Sequence, residues 1–145
     1  MRPGSILIAQ HDGIVTRFLT RALSYLGYRV ICAADGYQAR IFFDRHAPEL
    51  MLILVDTVLP DASGLKFVQD LPTRSPRIPV IFVSGLGEAE EAPGLRSNFP
   101  VMQKPFTFWQ LIRGVKAATA RFCLDARSKG LVRGASDVPT NSSEP

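Results

Sequence analysis

Apolar residues along this chain gather in five short runs, and most of the stretches between them repeat apolar positions every three or four residues. The runs are Ser5 to Ala9 (SILIA), Tyr28 to Ala33 (YRVICA), Leu50 to Val55 (LMLILV), Val80 to Val83 (VIFV) and Val101 to Gln103 (VMQ). The third is the strongest. Six apolar residues without a polar break suit a strand covered on both faces, as in the middle of a parallel sheet. Gly13 to Leu26 places Val15, Phe18, Leu19, Ala22, Leu23 and Leu26 on one helical face, and Gly27 supplies the stop. Asp35 can N-cap a helix over Gly36 to His46, with Ala39, Ile41, Phe42 and Phe43 on its apolar side. Another helix is expected from about Leu65 to Leu71. Thr107 opens a last one, Gln110 completes its capping box, and Leu111, Ile112, Val115, Ala118 and Phe122 line its buried side. Leu86 to Asn98 is broken by Pro93 and Gly94. A proline costs about 3 kcal/mol inside a helix, so a short turn, an irregular piece or disorder is expected there.

Strand and helix alternating five times predict a doubly wound α/β domain, with a parallel sheet between helical layers and right-handed crossovers. Residues 1–122 carry that pattern. Residues 123–145 are rich in Gly, Ser, Pro and Asn and lack a sustained apolar stripe, which predicts a disordered tail. A chain of 145 residues with 46% hydrophobic and 21% charged residues builds one globular domain with a core of its own. The net charge of +4 comes from scattered arginines: residues 1–122 hold 14 Lys/Arg against 10 Asp/Glu, and the remainder 3 against 3. No basic run or helix-turn-helix pattern stands out, so no nucleic-acid partner is expected.

Cys32 and Cys123 are too few for a disulfide framework and have no metal-ligand spacing. Cys32, inside an apolar run, is expected to be a buried thiol. The apolar part of the opening MRPGSILIAQHD is too short for a signal peptide. Nothing approaches the roughly 18 apolar residues of a membrane span. The expected location is the cytoplasm, away from membranes.

Open α/β sheets bind ligands at the carboxyl ends of their strands. Four of those ends read Gln10-His11-Asp12, Asp56, Ser84-Gly85 and Lys104-Pro105. Carboxylates, a hydroxyl and an ammonium therefore share one rim, which is more than strand capping needs. An aspartate is a competent nucleophile toward phosphorus, but its charge repels phosphoryl oxygens, so positive charge must stand close by. The spacing D-x-x-x-P at Asp56 and Pro60 with Gly64 following, the strand-ending Ser84, and K-P-F at Lys104, Pro105 and Phe106 carry a family likeness. The stretch from Ser5 to Phe122 resembles the receiver domains of bacterial two-component response regulators.

The resemblance implies a flavodoxin-like sheet of order 2-1-3-4-5 in a three-layer sandwich. It implies that Asp56 is a phosphoacceptor, taking a phosphoryl group from a histidine kinase or phosphotransfer protein. Lys104 and Mg²⁺ would offset charge there, and the Ser84 hydroxyl would donate to a phosphoryl oxygen. It also implies a cis Lys104-Pro105 peptide, a downstream protein partner whose identity is open, and self-association through the last helix and strand as a further option. Asp61 is expected only to form a turn.

Three departures stand out. The family places two adjacent acidic residues after its first strand to bind Mg²⁺, and here those positions are Gln10 and His11, followed by Asp12. The remaining metal ligands would be Asp12, Asp56 and the backbone carbonyl of Val58. Mg²⁺ favours oxygen ligands and imidazole is a poor one, so metal binding should be weakened or lost. A protonated His11 together with Lys104 would balance Asp12 and Asp56 without a metal; the alternative is a neutral, exposed loop histidine. The second departure is Val101, where the family commonly has Tyr or Phe, so the aromatic swing that couples phosphorylation to an output face has no ring to use. The third is a slightly shortened, Pro-Gly-broken segment between Ser84 and Lys104.

Two readings of different class remain. One is a stand-alone receiver, a signalling phosphoacceptor rather than an enzyme beyond self-catalysed transfer and slow autodephosphorylation. The other is a degenerate receiver that binds proteins independently of phosphorylation. An aspartate-nucleophile phosphatase is disfavoured by Val58, where a second aspartate would stand. A flavin protein is disfavoured by the lack of a Ser/Thr/Gly-rich phosphate loop after the first strand.

Overall fold

The computed structural model describes residues 4–73 and 77–128. Strands β1 (Ser5–Ala9), β2 (Arg29–Ala33), β3 (Leu50–Asp56), β4 (Val80–Ser84) and β5 (Val101–Gln103) alternate with α1 (Gly13–Tyr25), α2 (Gly36–His46), α3 (Gly64–Gln69), α4 (Leu95–Asn98) and α5 (Phe108–Ser128). All pairings are parallel and the order is β2-β1-β3-β4-β5. This is the doubly wound, flavodoxin-like sheet that pattern and resemblance predict.

Every residue of β3 except Met51 is buried, which is why its apolar run is unbroken. Alternate residues feed two cores. Ile53 and Val55 join Leu7, Phe82, Ala39, Phe43, Phe67 and Leu95, so α2, α3 and α4 cover that face. Leu52 and Leu54 join Ile6, Ile8, Ile81, Leu19, Leu23, Leu111 and Val115, so α1 and α5 cover the other. The register aligns the strand ends. Ala9 faces Val55, Asp56 faces Val83, and Ser84 faces Gln103, which puts the polar residues beyond them on one rim.

Side chains finish the helices as their types dictate. Asp12 accepts the N–H groups of Ile14 and Val15 at the start of α1, and Gly27 at φ 96° follows its end. Thr107 and Gln110 form the reciprocal capping box of α5, at 2.7 and 3.0 Å. At α2 the first three N–H groups all find carboxylates. Asp35 takes that of Gln38, while Asp61, from the loop after β3, takes those of Gly36 and Tyr37 at 2.8 and 2.9 Å. Asp61 therefore does more than form a turn, because it fastens one loop of the rim to a neighbouring helix.

Four expectations are corrected. Cys32 is exposed, because β2 is an edge strand that α1 covers incompletely, with Thr20 Oγ1 3.3 Å from the sulfur. Ile41 is also exposed, since the inward stripe of α2 runs through Ala39 and Phe43. The helix expected to end at Leu71 is capped at Asp70. α5 continues past Phe122 to Ser128, with Ala126 buried four residues beyond that ring, so the stripe persists into the segment expected to be disordered. The rest of that expected tail, 129–145, lies outside the described residues. The broken segment resolves into a 3-10 turn, Ala89–Glu91, and the single-turn α4, as its proline and glycine imply.

The Asp61 tether makes a pH-dependent contribution. The Gly36 N–H, and after it that of Tyr37, hold the Asp61 carboxyl below its ordinary value of 3.8 against the opposing effect of burial. A group whose folded pKa is depressed contributes stability that is present above the unfolded value and is lost as pH falls through the folded one. Asp61→Asn should therefore lower the melting temperature at neutral pH and bring its curve toward wild type below about pH 4. Superimposable melts at neutral pH would exclude the tether.

Candidate functional site

A carboxylate out of water is costly unless it is paired and hydrogen-bonded. Asp56, at the end of β3, is only 4% exposed, and both of its oxygens are engaged. Oδ2 accepts from Lys104 Nζ at 3.1 Å and Oδ1 from the Val58 N–H at 2.9 Å. Lys104 reaches Asp56 from beyond β5, across the end of the intervening β4, where its own N–H donates to the Ser84 carbonyl at 2.8 Å. The Lys104-Pro105 peptide is cis. The loop after Asp56 doubles back tightly, with the Gly64 N–H donating to the Thr57 carbonyl at 2.9 Å. A Cβ at Gly64 would collide with the Asp56 carbonyl oxygen, so only glycine permits this closure.

The structure thus brings Asp56 and Lys104 together and puts Ser84 beside them on the rim, fully buried. The Ser84 hydroxyl donates to the Gly85 carbonyl at 2.9 Å rather than to Asp56. Asp12 caps α1 through Oδ1, and no hydrogen bond or ion pair links it to Asp56 or Lys104 among the described residues. Its N–H donates to Gln10 Oε1 at 3.0 Å, leaving Gln10 Nε2 buried without a partner. His11 is exposed, and no hydrogen bond or ion pair engages its ring among the described residues.

Two further rim residues were not singled out from the sequence. Glu88 Oε1 accepts the Thr57 hydroxyl at 2.6 Å and the Gly85 N–H at 2.7 Å. The Thr57 hydroxyl, then the Gly85 N–H, hold the Glu88 carboxyl below its ordinary 4.5 despite partial burial, and the Lys104 ammonium adds to the effect. The spacing Gly85-x-x-Glu88 is that of a capping box, which is the local signal that could have marked Glu88. Its link to Thr57 spans 31 residues and has no local signature.

Mg²⁺, which receiver domains generally bind for phosphorylation, demands near-octahedral oxygen ligands. Asp56 ends β3 and Val58 lies two residues beyond it, while Asp12 follows β1. Gln10 Oε1 accepts the Asp12 N–H, and as a neutral amide it offers a cation no charge. No group of three His, Cys, Asp or Glu side chains able to hold a metal occurs among the described residues. Asp56, Asp12 Oδ2 and the Val58 carbonyl are the oxygens that would hold Mg²⁺, fewer than the six it takes, so water would have to supply the rest.

Comparison with known proteins places this geometry. A family model described as "Response regulator receiver domain" matches residues 6–116. The chain is 25% identical over 122 residues to the probable transcriptional regulatory protein TcrX of Mycobacterium tuberculosis, covering 83% of this chain and 51% of that protein. It is 32% identical over 114 residues to the sensor kinase CckA of Brucella abortus, covering 77% of this chain and 12% of that protein. The chain thus spans about half the length, or much less, of these curated relatives. Among solved structures, a response regulator receiver domain protein from Clostridium thermocellum aligns with a TM-score of 0.75 at 20% identity, covering 83% of this chain and 98% of that one. A putative response regulator from Chloroflexus aurantiacus aligns with a TM-score of 0.71 at 25% identity, covering 82% and 99%.

The loop closure at Asp56 is testable apart from any chemistry. Gly64→Ala forces backbone atoms apart in a buried turn and should cost about 3 kcal/mol in urea denaturation. A loss below about 1 kcal/mol would mean that the loop opens without consequence.

Proposed function

The chain belongs to the response regulator receiver domain family, and from that premise we propose that it accepts a phosphoryl group on Asp56 from a histidine kinase or phosphotransfer protein, with weakened dependence on Mg²⁺. The observation that carries this reading is the buried Asp56 carboxylate with Lys104 already on one oxygen. An Asp56 oxygen attacks phosphorus while the bond from phosphorus to the donor imidazole nitrogen breaks. The electron pair leaves with that nitrogen, and the acyl phosphate forms on Asp56. Lys104 offsets the charge gathering on the phosphoryl oxygens, which counts for more in a site shielded from water. The Ser84 hydroxyl turns from the Gly85 carbonyl to a phosphoryl oxygen, and the Val58 N–H keeps the carboxylate oriented. Weak metal dependence is supported by the uncharged Gln10 amide after β1 and by Asp12 giving one carboxylate oxygen to the α1 N-terminus.

The donor protein is proposed to land beside α1, which starts next to Asp12 on the rim. Ile14 and Trp109 are exposed there, and with Phe18 and Phe108 they line an open groove between α1 and α5. Arg17 and Arg21 lie along the same groove with no carboxylate among its lining residues, which suits a partner helix with an acidic edge. A second reading, a binding module that is never phosphorylated, is favoured by the Ser84 hydroxyl being held by Gly85.

Two measurements decide between them. With a small phosphodonor, intact-protein mass spectrometry should show one phosphoryl group per chain, absent in Asp56→Asn, with rates in chelator and in millimolar Mg²⁺ differing by less than about tenfold. Absence of incorporation under both conditions and from protein donors would establish the second reading. Ile14→Asp should slow transfer from a protein donor about tenfold more than transfer from a small one.

A further inference from the structure

A phosphoryl group on Asp56 adds negative charge to a rim that already holds a second carboxylate. We propose that Glu88 is an internal anion: in the unphosphorylated protein its carboxylate occupies donors that the phosphoryl group would draw on, and it must be displaced before the acyl phosphate can settle. The inference rests on the reading of Asp56 given above, and it assigns to Glu88 control over how readily that residue is phosphorylated.

The contacts of Glu88 are those of a bound anion. One oxygen takes the O–H of Thr57, just past β3, and the N–H of Gly85, just past β4, at 2.6 and 2.7 Å. A Cβ on Gly85 would lie 2.9 Å from the other oxygen, so the carboxylate is pressed over the Gly85 backbone. The capping-box pattern accounts for the Gly85 contact alone. It does not account for Thr57, the residue next to Asp56 and on a different strand. The Lys104 ammonium, bonded to Asp56, also acts on Glu88. Lys104 is ion-paired to Asp56, and its charge reaches Glu88 only from a distance, without an ion pair.

Displacement would have a mechanical consequence. Ala89 follows Glu88 and is buried, and its carbonyl accepts the Ala92 N–H, whose own carbonyl accepts the N–H of Leu95 in α4. Removing Glu88 from Thr57 and Gly85 therefore loosens the turn that leads into α4.

The test uses the full chain. Glu88→Gln removes the charge and keeps the shape, and its melting temperature checks the fold. With a small phosphodonor it should be phosphorylated at least about fivefold faster than wild type, because one repelling charge is gone. Hydrogen–deuterium exchange over residues 85–95 should rise on phosphorylation of wild type, and should change less in Glu88→Gln. Glu88→Gln reacting while wild type does not would also support the proposal. Equal or slower phosphorylation of a folded Glu88→Gln, with Asp56→Asn still blocking the reaction, would overturn the role of Glu88 and leave the phosphoacceptor reading standing. Unchanged exchange over residues 85–95 in phosphorylated wild type would overturn the displacement. No phosphorylation of either protein would overturn both.

Discussion

The contact between the Lys104 ammonium and the buried Asp56 carboxylate governs the arrangement of this molecule. A carboxylate at 4% exposure is tolerable only with a partner close at hand. The partner stands 48 residues away, beyond the end of β5, and reaches Asp56 across the end of β4. That reach constrains the sheet. β5 is only three residues long, and its end is set by the Lys104 N–H on the Ser84 carbonyl. A one-residue slip of β5 would turn the ammonium away. The order β3-β4-β5, the parallel register and the closure at Gly64 are all conditions for one ion pair at 3.1 Å.

What could be read in the sequence follows the reach of each signal. β1 and β5 fall on the residues that their apolar runs mark, and the capping box of Thr107 and Gln110 forms as spaced, because these signals are local. Asp56 and Lys104 were legible because strand ends in a parallel sheet share one rim, which turns chain order into proximity. Asp61 looked like a turn residue since its partners, Gly36 and Tyr37, are remote in sequence. Asp12 fits a metal ligand by its place after β1, but the same aspartate is also the natural N-cap of α1, and the helix N–H groups hold its Oδ1. Cys32 and Ile41 were misplaced for a shared reason. Apolar character shows that a residue can be buried, while the edge position of β2 and the facing of α2 decide whether it is.

The rim treats charge differently on its two sides. Beside β1, Asp12 is turned to a helix end, and Gln10 presents a buried, unpartnered amide nitrogen. Unpaired buried donors are rare because they are costly, and this one faces no cost if an acceptor arrives. Beside β4 the donors are already taken, by the Glu88 carboxylate on Gly85 and Thr57. The β1 side keeps a buried amide nitrogen without a partner, and the β4 side holds a carboxylate on its donors.

This asymmetry bears on how the site can speak to the rest of the surface. Val101 offers no ring to swing, and Phe99 does not replace it, since that ring packs edge-on against buried Phe82 with centroids 5.1 Å apart. Moving Phe99 would disturb the core contact it makes, which is a poor hinge. The turn Ala89–Glu91 and α4 are short, and Leu95 is the buried anchor of α4. A segment with so few buried attachments belongs to the low-stability end of a structure, where small changes in attachment shift populations most. Glu88 fastens that segment to Thr57, the residue after β3. Under the role proposed for Glu88, the backbone from Glu88 to Leu95 is the route by which phosphorylation of Asp56 would reach the outer surface, and the two hydrogen bonds at Glu88 would set how tightly it is held.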